Sequence, residues 1–439
     1  MSEALRIGIA GLGTVGSAVV RLFVEKAEML IRQCRCPLQI VAVSARHRRR
    51  ERNINLDSFI WYDNPEELAA SADINVFIEL IGGESGSAYR AVKLALEAGR
   101  HVVTANKALL AHHGVELAQL AESKGLLLNF EAAVAGGIPV IKILRESLSG
   151  SKTSRVYGIL NGTCNYILTQ MEEKELSFQE CLKNAQDLGY AEADPSFDIE
   201  GNDTAHKLAL LTSLAFGTVI SLDNIYVEGI RNISLVDIRT ADELGCRIKL
   251  LGVAVKTNTG IEQRVHPIMV PTSSAIAQVK GVTNAVAIET DLLGELFLSG
   301  AGAGGNATAS AVIADIADIA KSHPGFQHGP VFGIPANTLK PYTKSKTRAH
   351  TGGYFIRLSV QDRIGTFSSL TKRMAENDIS LESIVQRPAA ETQTMHESKT
   401  VVLITHQTTE ATLRKALTAI TQDGNLIDKA QMIRIERYC

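Results

Sequence analysis

With 439 residues, 45% hydrophobic and 21% charged side chains and a net charge of −2, the chain has the make-up of a globular protein of two to four domains. Near-neutral charge gives no footing for a nucleic-acid partner, and no apolar run reaches the roughly 18 residues that a bilayer span needs. Six scattered cysteines without Cys-x-x-Cys spacing, and a core strand that begins at Leu5, predict a cytoplasmic protein with reduced thiols and no cleavable signal.

Residues 1–133 alternate apolar strands with helices, the pattern of a doubly wound parallel sheet. The strand 5–10 runs into Gly11-Leu12-Gly13-Thr14-Val15-Gly16, and an apolar helical stretch follows at 17–23. Gly-x-Gly-x-x-Gly in that setting is a dinucleotide fingerprint. The first glycine permits the tight turn, the second lets a pyrophosphate approach the backbone, and the third lets helix and strand pack closely. The pyrophosphate rests on free N–H groups at the helix start. A second strand, 38–44, ends without the acid that would bind a ribose 2′-hydroxyl. Arg46 stands there instead, which favours a 2′-phosphate and hence NADP(H), with NAD(H) left open. Arg48, Arg49 and Arg50 read as a solvated loop. Strands at 75–81, 101–104 and 126–130 and helices at 88–98 and 111–123 complete the unit. Lys107, in Thr104-Ala-Asn-Lys-Ala-Leu-Leu110, lies just past a parallel strand, where ligands of such sheets bind.

From 134 to 306 helices (137–146, 204–214) mix with extended stretches (155–160, 252–256, 285–290), predicting an α+β substrate and dimerisation domain. Asp203 and Lys207 are four apart and share one helix face. Glu192, Asp194 and Asp198 precede them. Such a cluster could bind a cationic amino group and orient a proton donor, hold a metal, or form a polar turn; its spacing departs from an EF-hand. Cys164 reads as a packing residue. A glycine-rich stretch at 300–306 feeds an amphipathic helix, 307–321, expected to pack back on the first domain. Prolines mark 322–349 as a linker. Residues 350–439 repeat β-α-β-β-α-β, a ferredoxin-like plan, as a separate unit.

Together these motifs resemble those of bacterial homoserine dehydrogenases of the longer type, which carry a C-terminal ACT domain. The resemblance runs from about residue 5 to the C-terminus and rests on blocks in order: the Gly11–Gly16 loop, Glu79-Leu-Ile-Gly-Gly83, Thr104–Leu110, Gly158-Ile-Leu-Asn-Gly-Thr-Cys-Asn165, Glu192-Ala-Asp-Pro195, Gly201-x-Asp203-x-x-x-Lys207 and Gly302-Ala-Gly-Gly305. It implies interconversion of L-homoserine and L-aspartate 4-semialdehyde with NAD(P)(H), on the way to threonine, methionine and isoleucine. By matching position, Glu192 would bind the substrate amino group, with Asp198 beside it. Asp203 and Lys207 would bind the reacting oxygen, with Lys207 or Lys107 as proton donor, and Gly304 would approach the nicotinamide. Sodium would bind Glu131 and the carbonyls of Val134, Gly136 and Ile138; one carboxylate with carbonyl oxygens suits a hard cation. Threonine is the implied effector at the ACT domain, where Asp362 could cap free N–H groups and Gly365 admit a small amino acid. A homodimer or homotetramer is the implied assembly. Two other readings are an inactive ACT-containing amino-acid sensor, which retention of Lys107, Glu192, Asp203 and Lys207 argues against, and another Rossmann dehydrogenase acting on an amino-acid semialdehyde.

Overall fold

The computed structural model describes residues 4–322, 329–345, 351–388 and 398–436. Six strands form the first sheet: β1 (Leu5–Ala10), β2 (Leu38–Ser44), β3 (Ile60–Tyr62), β4 (Val76–Glu79), β5 (His101–Thr104) and β6 (Leu128–Asn129). All pair in parallel in the order β3-β2-β1-β4-β5-β6, so the direction of winding reverses between β1 and β4. Ile7, Ile9, Val43, Phe77, Ile78, Val102 and Val103 are wholly buried, because helices cover both faces. These helices are α1 (Thr14–Glu25), α2 (Ala27–Cys34), α3 (Pro65–Ala70), α4 (Ser87–Glu97) and α5 (Lys107–Ser123). The third strand and the helix after it were not expected from sequence, and α5 begins at Lys107 rather than Ala111. Asn106 is the reason: its side chain accepts the Leu109 N–H at 3.0 Å and caps the helix early.

Where the apolar pattern predicts one helix over 137–146, the chain makes a single turn, α6 (Val140–Lys142), that passes into a π-helical turn at Ile143–Ser147. Positive φ at Ala135 and Gly136, then Pro139 at the cap, delay the start. The remaining middle elements are β7 (Thr153–Ile159), α7 (Gly162–Lys174), α8 (Phe178–Asp187), α9 (Ser196–Ile199), α10 (Asn202–Phe216), β8 (Tyr226–Val227), α11 (Leu235–Glu243), β9 (Cys246–Thr257), β10 (Gly260–Pro271), β11 (Thr283–Thr290), β12 (Gly294–Ala301) and α12 (Gly305–Lys321). The strands order as β12-β11-β7-β9-β10. α10 lies close on this sheet at Gly252, where an added Cβ would come within 3.1 Å of Thr204 Cγ2.

α12 returns to the first sheet. Its Ala309, Val312 and Ile316 share a buried core with Val19 and Phe23 of α1, and Asn306 accepts a hydrogen bond from Arg21. The described part of the proline-rich stretch after it is packed rather than solvated. Val331, Phe332, Ala336 and Leu339 are buried, and the Glu122 carboxylate accepts the N–H groups of Val331 and Ala336 at 3.0 and 2.7 Å.

The C-terminal elements are β13 (Thr351–Gln361), α13 (Thr366–Ala375), β14 (Leu381–Pro388), β15 (Ser398–Thr405), β16 (Thr408–Thr409), α14 (Glu410–Gln422) and β17 (Gln431–Ile435), a β-α-β-β-α-β order with one extra short strand. They are not set apart from the middle sheet. β17 pairs in parallel with β10, Ile268 opposite Arg434 and Met269 opposite Ile435, which makes one sheet of 11 strands. Glu410 fastens this seam: its buried carboxylate meets Arg264 of β10 at 2.6 Å, Arg414 at 2.7 Å, and Arg434 of β17. Asp362 does not cap α13. Gly365 holds the cap position with φ +91° and no side-chain hydrogen bond, while Asp362 faces Lys399 at 3.6 Å.

Ile316 is wholly buried between α12 and the first sheet. Ile316→Ala should therefore cost about 2–5 kcal/mol in urea unfolding, read as a lower midpoint.

Candidate active site

The glycine loop has room where a dinucleotide needs it. Gly11 has φ +104° and an added Cβ there would clash with the Leu80 carbonyl, whereas a Cβ at Gly13 would meet nothing within 4 Å. α1 starts after Gly13 with no side-chain cap and no acid in its first turn, so the N–H groups of Thr14, Val15 and Gly16 remain for an anion. Gly304, with φ +116°, is also open, and Gly305 brings α12 to within 3.3 Å of the Thr14 side chain, counted from an added Cβ. The residues fit a bound pyrophosphate.

Arg46 is exposed at the end of β2 and has no ion pair among the described residues. Arg52, which the sequence did not single out, is the organised cation of this loop. It donates to the carbonyls of Leu12 (3.1 Å), His47 (2.6 Å) and Arg50 (2.8 Å) and lies over the Trp61 ring, so it ties the arginine-rich loop to the glycine loop. Only the pairing of a cation with a nearby tryptophan could have hinted at it.

At the carboxyl edge of the first sheet Lys107, first residue of α5, meets the middle domain. Asp203 lies in the first turn of α10, which opens at Gly201 with φ +92°. The residue is 5% exposed and its carboxylate is shared: Oδ1 lies 3.2 Å from Lys107 Nζ, Oδ2 lies 2.7 Å from Lys207 Nζ and accepts the Asn161 amide at 2.8 Å. Lys207 also donates to the Leu160 carbonyl at 2.7 Å. Burial alone would raise the Asp203 pKa, but Lys207, Lys107 and Asn161 overcome it and hold the carboxyl well below the usual range. Asn161, two residues past β7, caps α7 through Cys164 N–H and donates also to Asp198 at 2.8 Å. Burial and the Asp203 charge push Asp198 upward. Asn161 was legible only as part of a motif; an asparagine between an apolar strand and a helix is a capping signal.

Two neighbours narrow the chemistry. Burial, then the charges of Asp198 and Asp203, push the Cys164 thiol well above the ordinary thiol range, so it is no poised nucleophile. His206 packs edge-on against Phe197 and His112, and burial lowers its pKa. Glu192 is exposed; its backbone carbonyl accepts from Gln186, and the structure does not bring its carboxylate into the Asp203 network.

The cation residues form a separate buried nest. The Glu131 carboxylate accepts the N–H groups of Ile141 and Lys142, both at 2.9 Å, and burial raises its pKa to about 7. Val134, Gly136 and Ile138 are buried beside it. The Ile138 carbonyl accepts from Val140, whereas no donor reaches the Val134 or Gly136 carbonyl among the described residues. A buried carboxylate with open carbonyls fits a small monovalent cation. Among the described residues no cluster of three His, Cys, Asp or Glu side chains suits a metal, five cysteines are free, and no helix is long and apolar enough to cross a membrane.

A doubly wound dinucleotide fold whose carboxyl edge meets a lysine–aspartate–lysine cluster defines a nicotinamide-dependent oxidoreductase. The family model for homoserine dehydrogenase matches residues 139–317, and that for the homoserine dehydrogenase NAD-binding domain matches 11–131. A homoserine dehydrogenase of Neisseria gonorrhoeae is 42% identical, with 99% of each chain covered. The crystal structure of a homoserine dehydrogenase from Thiobacillus denitrificans is 38% identical with a TM-score of 0.91, covering 99% of this chain and 98% of that one. A hyperthermophilic archaeal homoserine dehydrogenase in complex with NADPH is 27% identical, with a TM-score of 0.62, over 72% of this chain and 97% of that one. The chain belongs to the homoserine dehydrogenase family.

The depressed Asp203 pKa sets a sign for stability. An acid whose folded pKa lies below its unfolded value of about 3.9 stabilises the fold above that pH and loses the contribution as pH falls. Asp203→Asn should lower stability by about 3–5 kcal/mol near neutral pH, because two buried ammonium groups lose their partner. Urea midpoints of parent and variant should stay equally far apart at about pH 7 and pH 5, and draw together below about pH 4.

Proposed function

We propose that the protein interconverts L-homoserine and L-aspartate 4-semialdehyde with NADP(H) as preferred cofactor, and that Lys207 is the proton donor to the reacting oxygen. One observation carries the reading: two lysines from different domains converge on a single buried aspartate. Asp203 balances one ammonium, and with Asp198 turned to the substrate amino group the second ammonium is left to meet a forming alkoxide. The nicotinamide supplies or accepts the hydride. Lys207 is the more enclosed cation, held by Asp203 and the Leu160 carbonyl, so its proton is aimed and its position fixed. Lys107 is the more exposed of the two, 31% against 12%, and in this reading it orients the reacting group. Glu192 and Asp198 would hold the substrate amino group. Glu192 must turn inward to do so, whereas Asp198 already stands at Asn161.

Three further features belong to the same reading. Arg46, exposed and without an ion pair among the described residues, would meet a 2′-phosphate, and the NADPH bound to the archaeal relative supports that choice. Sodium at Glu131, Val134, Gly136 and Ile138 would fix the segment that joins the two domains. The C-terminal region would act as an ACT domain in a cytoplasmic homodimer or homotetramer serving threonine, methionine and isoleucine synthesis. Threonine would bind at the Asp362–Gly365 turn and inhibit.

Lys207→Ala should lower kcat for homoserine oxidation by about 10²–10⁴-fold while the NADPH dissociation constant moves little; turnover within a few-fold of parent would remove Lys207 as donor. In the same assay kcat/KM should be higher with NADP⁺ than with NAD⁺, and Arg46→Ala should erase most of that preference. Millimolar threonine should slow the parent enzyme, and an unchanged rate would end the feedback reading.

A further inference from the structure

Glu79 ends β4 wholly buried, and none of the described lysines or arginines forms an ion pair with it. Its charge is met by dipoles from two separate turns. Oε1 accepts the N–H groups of Ile81 at 2.8 Å and Gly82 at 3.0 Å. Oε2 accepts the Thr104 hydroxyl at 2.5 Å, and the Asn106 amide nitrogen lies 3.5 Å from Oε1. That same nitrogen donates to the Gly83 carbonyl at 2.7 Å, and the Thr104 oxygen accepts the Asn106 N–H at 3.0 Å. Burying a carboxylate costs free energy that an apolar residue at this strand end would avoid. In return, an ionised carboxylate alone accepts several donors at once without presenting one of its own.

The turns so joined are the ones that flank the reacting edge. Gly82 and Gly83 have φ of +84° and +91°, and an added Cβ at Gly82 would meet nothing within 4 Å. Asn106 caps α5 through Leu109, and the residue that follows it in the first turn, Lys107, reaches across to Asp203. We propose that Glu79 is a positioning residue of the reaction: it locks the 81–83 turn to the 104–106 turn, and through the Asn106 cap it sets where Lys107 Nζ stands against Asp203. The inference rests on the reading of Lys107 and Asp203 as groups that meet the reacting oxygen.

The test compares Glu79→Gln, Asn106→Ala, their double variant, Thr104→Val, Thr104→Ser and Lys107→Ala in homoserine oxidation at saturating NADP⁺. Glu79→Gln and Asn106→Ala should each lower kcat by at least about tenfold, since a displacement of about 1 Å is enough for such losses. The homoserine KM and the NADPH dissociation constant should move less than about threefold, and the double variant should be no worse than the poorer single, because both changes act along one path. Thr104→Ser keeps both hydroxyl bonds and should retain the parent kcat; Thr104→Val loses them and should follow Glu79→Gln, which keeps the test open if the Gln variant fails to fold. Losses that multiply in the double variant, or Thr104→Val within about threefold of parent, would overturn the positioning role. Lys107→Ala separates the two failures. If it keeps its turnover, the reading of Lys107 falls and this inference with it; if it collapses while Glu79→Gln and Thr104→Val do not, this inference falls alone.

Discussion

The rest of the structure depends on one buried carboxylate held by two ammonium groups. An aspartate this enclosed is unfavourable by itself, and Asp203 is ionised only because Lys107, Lys207 and Asn161 surround it. Those partners come from three places: the start of α5 on the first sheet, the second turn of α10, and the N-cap of α7. The electrostatic centre of the site is thus also a clasp between domains. A shift of either domain would separate Lys107 from Asp203, so domain placement and charge balance are set by the same contact. The Glu79 turn and the Gly201 helix start each hold one side of it in place.

A second ionic knot stands at the other end of the middle sheet. Glu410 gathers three arginines across the seam between β10 and β17, with Arg264 and Arg434 themselves nearly buried. One negative charge among three guanidiniums is tolerable only with further partners, and Glu262 beside Arg264 supplies one. The open cavity next to this knot, about 780 Å³ between α14 and the loop after β8, is lined in part by Arg357, Arg414, Glu228 and Lys429.

Much of the first sheet was legible because its strands are covered on both faces and so read as unbroken apolar runs; β2 was read to the residue. β3 escaped because three half-exposed residues, Ile60, Trp61 and Tyr62, carry too little pattern. β10 escaped for the opposite reason. Gln263, Arg264 and His266 are buried in it, and polar residues at core positions erase the alternation a strand is recognised by. Within the site, Asp203 and Lys207 were legible from helical spacing, whereas no local rule relates Lys107 to Asp203, whose contact is made by the fold. The Asn161-to-Asn165 block shows how a motif mixes roles. Asn161 serves the two aspartates, while Asn165 spends its amide on the carbonyls of Val279, Gly281 and Thr283 and helps hold the buried Lys249. Sequence pattern marks both asparagines and distinguishes neither.

The parallel pairing of β17 with β10 has a consequence for how such a chain could lose or exchange its C-terminal module. Cutting before β13 would not leave a finished surface. It would uncover the Ile268–Met269 edge of a strand of 12 residues, together with Arg264 stripped of its Glu410 partner. A long bare edge invites pairing with another chain. The module is therefore also an edge guard, and a shortened relative has to shield or blunt β10 by some other means to remain monodisperse.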